Sequence, residues 1–148
     1  MSALSALTIL RISLLTLGEE ELHVLGSIPS LSHLFIYIYR GEELVISNAY
    51  PFLCLRKFEI RHITRVVFAQ GAMPKLQTLR LGLESMESSM GQSGDFAVDF
   101  ENLSSLVDVV VSLFCWNDRP KEELKAARTT IQNAVEMNQN KPSLNIWP

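Results

Sequence analysis

A chain of 148 residues is long enough for one domain with a continuous core, and its 47% hydrophobic and 20% charged residues exclude intrinsic disorder. A net charge of −3, with 13 basic residues in runs of no more than two, excludes general affinity for nucleic acid or anionic membrane, since both need clustered Lys and Arg. Cys54 and Cys115 are too few for a disulfide framework, which favours a reducing, intracellular compartment.

The Leu-rich opening, residues 2–17, has the composition of a signal peptide but lacks its organisation. It has no basic leading region, Arg11 interrupts the apolar stretch, and no small-x-small site precedes Glu19, Glu20 and Glu21. It reads instead as the first of five runs with one spacing, in which an apolar residue is followed by others three, six and eight positions later. The runs are Leu4-Leu7-Leu10-Ile12, Ile28-Leu31-Leu34-Ile36, Phe52-Leu55-Phe58-Ile60, Met73-Leu76-Leu79-Leu81 and Leu103-Leu106-Val109-Val111. Taking the third member as a marker, the steps are 24, 24, 21 and 30 residues. Side chains alternate along a strand, so each marker and its +2 neighbour point inward from a short strand. Strands of neighbouring runs then pair in parallel.

The segments between strands differ. Residues 18–26 predict a short helix, with an acidic first turn, Leu22 and Leu25 on one face and Gly26 at its end. Residues 36–39 and 43–46 flank Arg40, Gly41 and Glu42, which predicts a hairpin-like turn back. Residues 64–68 are strand-like and stop at Ala69, Gln70 and Gly71. Residues 84–95 are rich in Ser, Met and Gly, which predicts a mobile loop and accounts for the 30-residue step. The apolar stretch 106–116 is too short to span a bilayer and contains Asp108.

Toward the C-terminus the pattern breaks. Asp118 caps a helix with Arg119 and Pro120 early, Glu122 and Glu123 in the first turn, and Leu124, Ala127, Ile131, Ala134 and Val135 on one face. Residues 138–142 end it, and residues 143–147 predict a last strand with Leu144 and Ile146 on one side. One domain over 1–148 is therefore expected, with about five repeats in 1–117 and a terminal cap in 118–148. No comparable cap precedes the first strand, which predicts the tail of a longer array or a truncated product.

A period of about 20–29 residues built on L-x-x-L-x-x-L-x-L is the signature of leucine-rich repeats. The expected fold class is thus an α/β repeat: a leucine-rich-repeat solenoid with a parallel concave sheet, irregular convex returns and a C-terminal capping helix plus short strand. Residues 17–31 (LGEEELHVLGSIPSL), 40–46 (RGEELVI), 71–79 (GAMPKLQTL) and 101–106 (ENLSSL), with the helix over 126–137 and the following NQNKP, resemble a known group. They are similar to the C-terminal leucine-rich repeats of plant nucleotide-binding (NB-ARC) disease-resistance proteins, closest to the coiled-coil class of grasses. That resemblance implies a non-catalytic recognition module acting in defense, located in the cytoplasm or nucleus. Its implied partners are a pathogen effector, a guarded host protein or the receptor's own upstream domains.

The chain departs from that group in two ways. Asn or Cys commonly stands five residues after the marker, but here those positions are Leu15, Tyr39, Ile63, Glu84 and Phe114, so a buried polar ladder is not expected. Nothing matches G-x-x-x-x-G-K-[ST], so no cofactor is expected, and ADP or ATP would belong to an upstream NB-ARC domain outside the chain. The alternatives are an intracellular adaptor, such as the substrate-binding part of an F-box protein, and a gene fragment with no independent role.

Candidate chemistry is sparse. His23, His33 and His62 lie in different repeats without metal-ligand spacing, and Cys54 and Cys115 read as packing thiols. Asn102-Leu103-Ser104 matches a glycosylation acceptor, but Leu103 is a core position and the match reads as chance. No carboxylate pair, nucleophile–base pair or phosphate loop can be assembled, so an enzyme is not expected. The residues one before, one after and three after each marker should point into solvent from the strand face. They run Ile9, Arg11 and Ser13; His33, Phe35 and Tyr37; Lys57, Glu59 and Arg61; Thr78, Arg80 and Gly82; Asp108, Val110 and Ser112. Within them, Arg11, Phe35, Tyr37, Glu59, Arg61 and Arg80 form the candidate protein-binding face, because Tyr and Arg are the side chains most enriched at interaction hot spots.

Overall fold

Among the described residues, the later apolar runs form tight turns that feed strands. The computed structural model describes residues 7–15, 18–47, 52–83, 97–113 and 121–147. In chain order they form β1 (Ile9–Leu14), α1 (Glu19–Gly26), β2 (His33–Ile46), β3 (Lys57–Phe68), β4 (Thr78–Leu83), β5 (Ala97–Asp99), β6 (Asp108–Ser112), α2 (Lys121–Glu136) and β7 (Ser143–Trp147). The strands make one sheet in the order β1-β2-β3-β4-β6-β7, with β5 beside β3, and every pairing is parallel. The marker residues pair directly, as Leu10–Leu34, Leu34–Phe58, Phe58–Leu79 and Leu79–Val109, so the sequence spacing is the structural register.

That register puts the apolar columns on top of one another. Every position of the four later runs is buried, Phe58, Ile60, Leu79 and Val109 completely. In the first run, Leu7, Leu10 and Ile12 are half-buried against the same core, and Leu4 lies outside the described residues. Full burial of such a side chain contributes about 1.5–3 kcal/mol, so this continuous column is the main stabilising term.

Backbone hydrogen bonds fix the register where the chain turns into each strand. The carbonyl two residues before one marker accepts two N–H groups of the following repeat. Thr8 O takes Ser32 N at 2.8 Å and His33 N at 3.0 Å, and Ser32 O takes Arg56 N and Lys57 N at the same two distances. Arg56 O and Gln77 O repeat the pattern with Gln77 and Thr78, and with Val107 and Asp108. The turns before these strands close through three-residue bonds, Leu31 N to Ile28 O, Leu55 N to Phe52 O and Leu76 N to Met73 O. Phe52 and Met73 enter their turns in the left-handed backbone region (φ 40° and 44°). Ile28 at the equivalent position does not, as expected for a β-branched residue.

The segments between strands follow the sequence in part. The helix over 19–26 forms, buries Leu22 and Leu25, and begins with Gly18 N donating to Glu21 Oε1 at 2.8 Å. The strand over 64–68 forms as the second half of β3. The hairpin-like turn at Arg40, Gly41 and Glu42 does not: β2 runs unbroken from His33 to Ile46. Its register against β3 slips between Tyr37 and Glu43, after which Leu44–Val66 and Ile46–Phe68 pair in parallel again. A hairpin needs the returning segment to pair antiparallel with its own strand. Here residues 43–46 find a parallel partner in β3, which in turn carries β5 on its other side. The loop expected over 84–95 and the cap expected at Asp118 lie outside the described residues.

At the C-terminus, α2 buries Ala127, Ile131 and Val135, and β7 places Leu144 and Ile146 beside Val109 and Val111. The frame persists here rather than breaking. Lys141 N donates to Asn138 O at 3.1 Å, the same turn bond as in the earlier runs, and Ser143 N donates to Val107 O at 2.9 Å. The second donor of that pair is absent because Pro142 has no N–H. The apolar spacing missed this turn because the positions six and three before Leu144 are Asn138 and Lys141. The Asn138 side chain is buried at 1% exposure, and its Nδ2 donates to Phe100 O at 2.7 Å and Leu103 O at 2.8 Å. Its Oδ1 accepts from Asn140 N at 2.9 Å.

Asn138→Leu keeps the position buried but removes the amide donor to Leu103 O and the second donor to Phe100 O, which retains Leu103 N, so urea denaturation should show a loss of about 1–3 kcal/mol. Leu79→Ala, in the centre of the sheet, should cost about 2–5 kcal/mol by the same measurement.

Candidate functional site

The alternation that buries the markers turns their neighbours to the opposite face of the sheet. Pairing across strands sorts these neighbours into rows. Arg11, Phe35, Glu59, Arg80 and Val110 form one row, and Ser13, Tyr37, Arg61, Gly82 and Ser112 the next. All six candidate residues therefore share one face: Arg11, Phe35, Glu59 and Arg80 in the first row, Tyr37 and Arg61 in the second.

Contacts within the face are specific. The Arg11 guanidinium carbon lies 4.7 Å from the centroid of the Phe35 ring, a cation–π distance. Lys57 Nζ lies 6.0 Å from the same ring. Arg61 Nε donates to Glu59 Oε2 at 3.0 Å. Tyr37 and Tyr39 meet edge to face, with ring centroids 5.3 Å apart. A shallow, open depression of about 300 Å³ runs between these side chains, lined by Arg11, Ser13, Phe35, Tyr37, Glu59 and Arg61 over the backbone at Ile12 and Ile36. Arg80 is exposed beyond its rim.

Two residues of the face behave differently from the sequence expectation. Gly82, expected to point into solvent, is buried, because the Arg61 side chain lies across it. A Cβ there would sit 3.1 Å from Arg61 Cγ and 3.3 Å from Arg61 Cα, so the missing side chain is what lets Arg61 lie flat. Lys57 stood among the outward-facing residues but outside the candidate six. Its proximity to Phe35 depends on the β2–β3 register, which pairs His33 with Lys57 and Phe35 with Glu59.

A second set of polar contacts escaped the sequence pattern. The position four before the marker carries Ser30, Ser105 and Asn140, and each donates to a carbonyl of the preceding repeat. Ser30 Oγ reaches Leu7 O at 2.6 Å, Ser105 Oγ reaches Pro74 O at 2.8 Å and Asn140 Nδ2 reaches Ser104 O at 2.5 Å. Polar tethering is thus present at the turn, while Leu15 and Tyr39, at the position where the sequence pattern sought it, are exposed. The sequence signal for it is a residue able to donate four positions before the marker, at Ser30, Ser105 and Asn140. Cys54 occupies the same column and is half-buried.

Among the described residues the remaining candidates do not converge. His33 Nδ1 lies 2.9 Å from Ser32 Oγ, His23 is exposed on α1, and the His62 side chain and Cys115 lie outside what is described. Asn102 is half-buried and donates to Phe68 O at 2.9 Å. Among the described residues no group of His, Cys, Asp and Glu is placed to hold a metal ion. No described helix is long and apolar enough to cross a membrane.

A parallel sheet with an apolar column on one face and a varied, side-chain-rich opposite face defines a repeat protein of the α/β class. The chain belongs to the leucine-rich repeat family: the family model described as a leucine-rich repeat region matches residues 1–144. Domains of this family are in general non-catalytic protein-interaction modules. No curated protein matches the chain.

In the Arg61–Glu59 pair the Arg61 side chain is 46% exposed and the Glu59 side chain 15%, so solvent screens the pair from the Arg61 side and Glu59→Gln should change stability by about 1 kcal/mol or less. Gly82→Ala should cost more than Glu59→Gln, because it displaces Arg61 against its own backbone. Paired thermal melts give that ranking, and the shift of the Arg61 side-chain N–H resonance reports the displacement.

Proposed function

We propose that this chain is a protein-recognition module, a leucine-rich-repeat solenoid that works through the outward strand face. The face joining Arg11, Phe35, Tyr37, Glu59, Arg61 and Arg80 carries the proposal. It combines aromatic rings with guanidinium groups, the chemistry most enriched where proteins bind one another. Its side chains are varied between strands while the opposite face is uniformly apolar, as expected when one face packs and the other recognises.

The finer reading is the repeat region of a plant disease-resistance protein of the NB-ARC coiled-coil type, acting in the cytoplasm on a pathogen effector, a guarded host protein or the receptor's own domains. Support for it is the resemblance of residues 17–31, 40–46, 71–79 and 101–106 to that group. In this reading residues 1–117 present the face.

Selection of a displayed random-peptide library against the chain tests the face. Enriched peptides should lose at least about tenfold in affinity for the combined variant Arg61→Glu and Arg80→Glu, since like charge at an interface costs several kcal/mol. Equal affinity for both proteins would reject this face.

A further inference from the structure

The open face is cationic on a chain whose net charge is −3. Among the residues whose side chains are described, it presents Arg11, Lys57, Arg61 and Arg80 from β1 to β4 against Glu59, with Asp108 following on β6. Glu59 is committed to Arg61 at 3.0 Å. Among the described residues, Arg11, Lys57 and Arg80 have no carboxylate partner. The Phe35 ring draws Arg11 to 4.7 Å and Lys57 to 6.0 Å, so two like charges gather over one ring without being neutralised. Charge on either cation is attracted by the ring quadrupole but still seeks an anion.

Resting on the reading of this face as the recognition surface, we propose that it takes an extended acidic peptide segment with two carboxylates three residues apart. One carboxylate sits above Phe35 between Arg11 and Lys57, where it accepts charge-assisted hydrogen bonds from both. The other meets Arg80. Phe35 on β2 and Arg80 on β4 are two strand steps apart, about 10 Å at the usual strand spacing. A polyproline-type segment rises about 3.1 Å per residue with three residues per turn, so residues i and i+3 lie on one side about 9 Å apart. The two residues between them pass over Glu59 and carry no charge, since an anion there would meet its carboxylate.

The same spacing argues against a nucleic acid. A duplex carries one negative charge per about 1.7 Å, so phosphates would be forced over Glu59 as well as over the cations. An anionic membrane presents a plane of charge and meets the same carboxylate.

The test is a 1H–15N NMR titration of the full chain, read at the Arg side-chain N–H signals. One probe is a capped Gly-Glu-Pro-Pro-Glu-Gly peptide, and its control is the isomer Gly-Pro-Glu-Glu-Pro-Gly. The spaced peptide should perturb Arg11 and Arg80, weaken with added salt, and lose about tenfold in affinity for Arg11→Gln combined with Lys57→Gln, a variant checked for native dispersion. Equal binding of the adjacent-Glu isomer would overturn the spacing, and unchanged affinity for the double variant would overturn the site. Tighter binding of a thymidine hexanucleotide or of phosphatidylserine vesicles at the same residues would overturn the peptide assignment. Should library-selected peptides depend on Arg61 and Arg80 but lack carboxylates, the acidic occupant fails while the face stands. If they ignore the face altogether, the functional reading fails first.

Discussion

One backbone carbonyl per repeat, shared between two N–H groups of the following repeat, is the constraint on which the rest depends. Thr8, Ser32, Arg56 and Gln77 supply it in turn, and Val107 supplies it to Ser143 alone. Parallel strands slip easily where nothing fixes their start, and a slip of one residue would exchange the inward and outward faces. Because the shared carbonyl precedes each strand by the same offset, every marker meets the next marker. The apolar column and the outward-facing rows are two consequences of that one alignment.

The residues that supply these carbonyls are Thr8, Ser32, Arg56, Gln77 and Val107, whose side chains differ, so the constraint is carried by the backbone. Position-specific demands arise elsewhere. The turn requires apolar residues that fill the core, at Phe52 and Met73 even at the cost of a left-handed backbone. At the last turn the core instead admits Asn138, because Phe100 O and Leu103 O there have an amide to satisfy them. A buried amide is tolerated when its hydrogen-bonding capacity is met, and here it ties the final turn to the repeat before it.

The outward face has the opposite freedom. Its residues need only be compatible with a strand, so chemistry can differ from one strand to the next without disturbing the core. Arg61 illustrates how far neighbours still shape it: Glu59 holds its nitrogen, and Gly82 gives it room to lie across β4. Phe35 likewise serves as a platform that collects Arg11 and Lys57. A face arranged in this way offers positive charge at defined spacing, and recognition by such a surface depends on where a partner's charges fall as much as on their sign.

The sequence by itself determined the repeat, the parallel register of its markers, the buried column, the helices over 19–26 and along 121–136, and which residues share the outward face. Apolar spacing at a fixed offset expresses side-chain alternation directly, so these features are local in origin. Tertiary structure alone decided the rest. Residues 43–46 became part of β2 instead of a hairpin arm because a parallel partner, β3, was present to take their hydrogen bonds. Asn138 became a core residue because its amide bonds Phe100 O and Leu103 O, more than thirty positions away. Gly82 lies beneath Arg61, and Lys57 beside Phe35, only because strands distant in sequence lie side by side. Those outcomes depend on which groups meet across strands, and no pattern confined to one repeat contains that information.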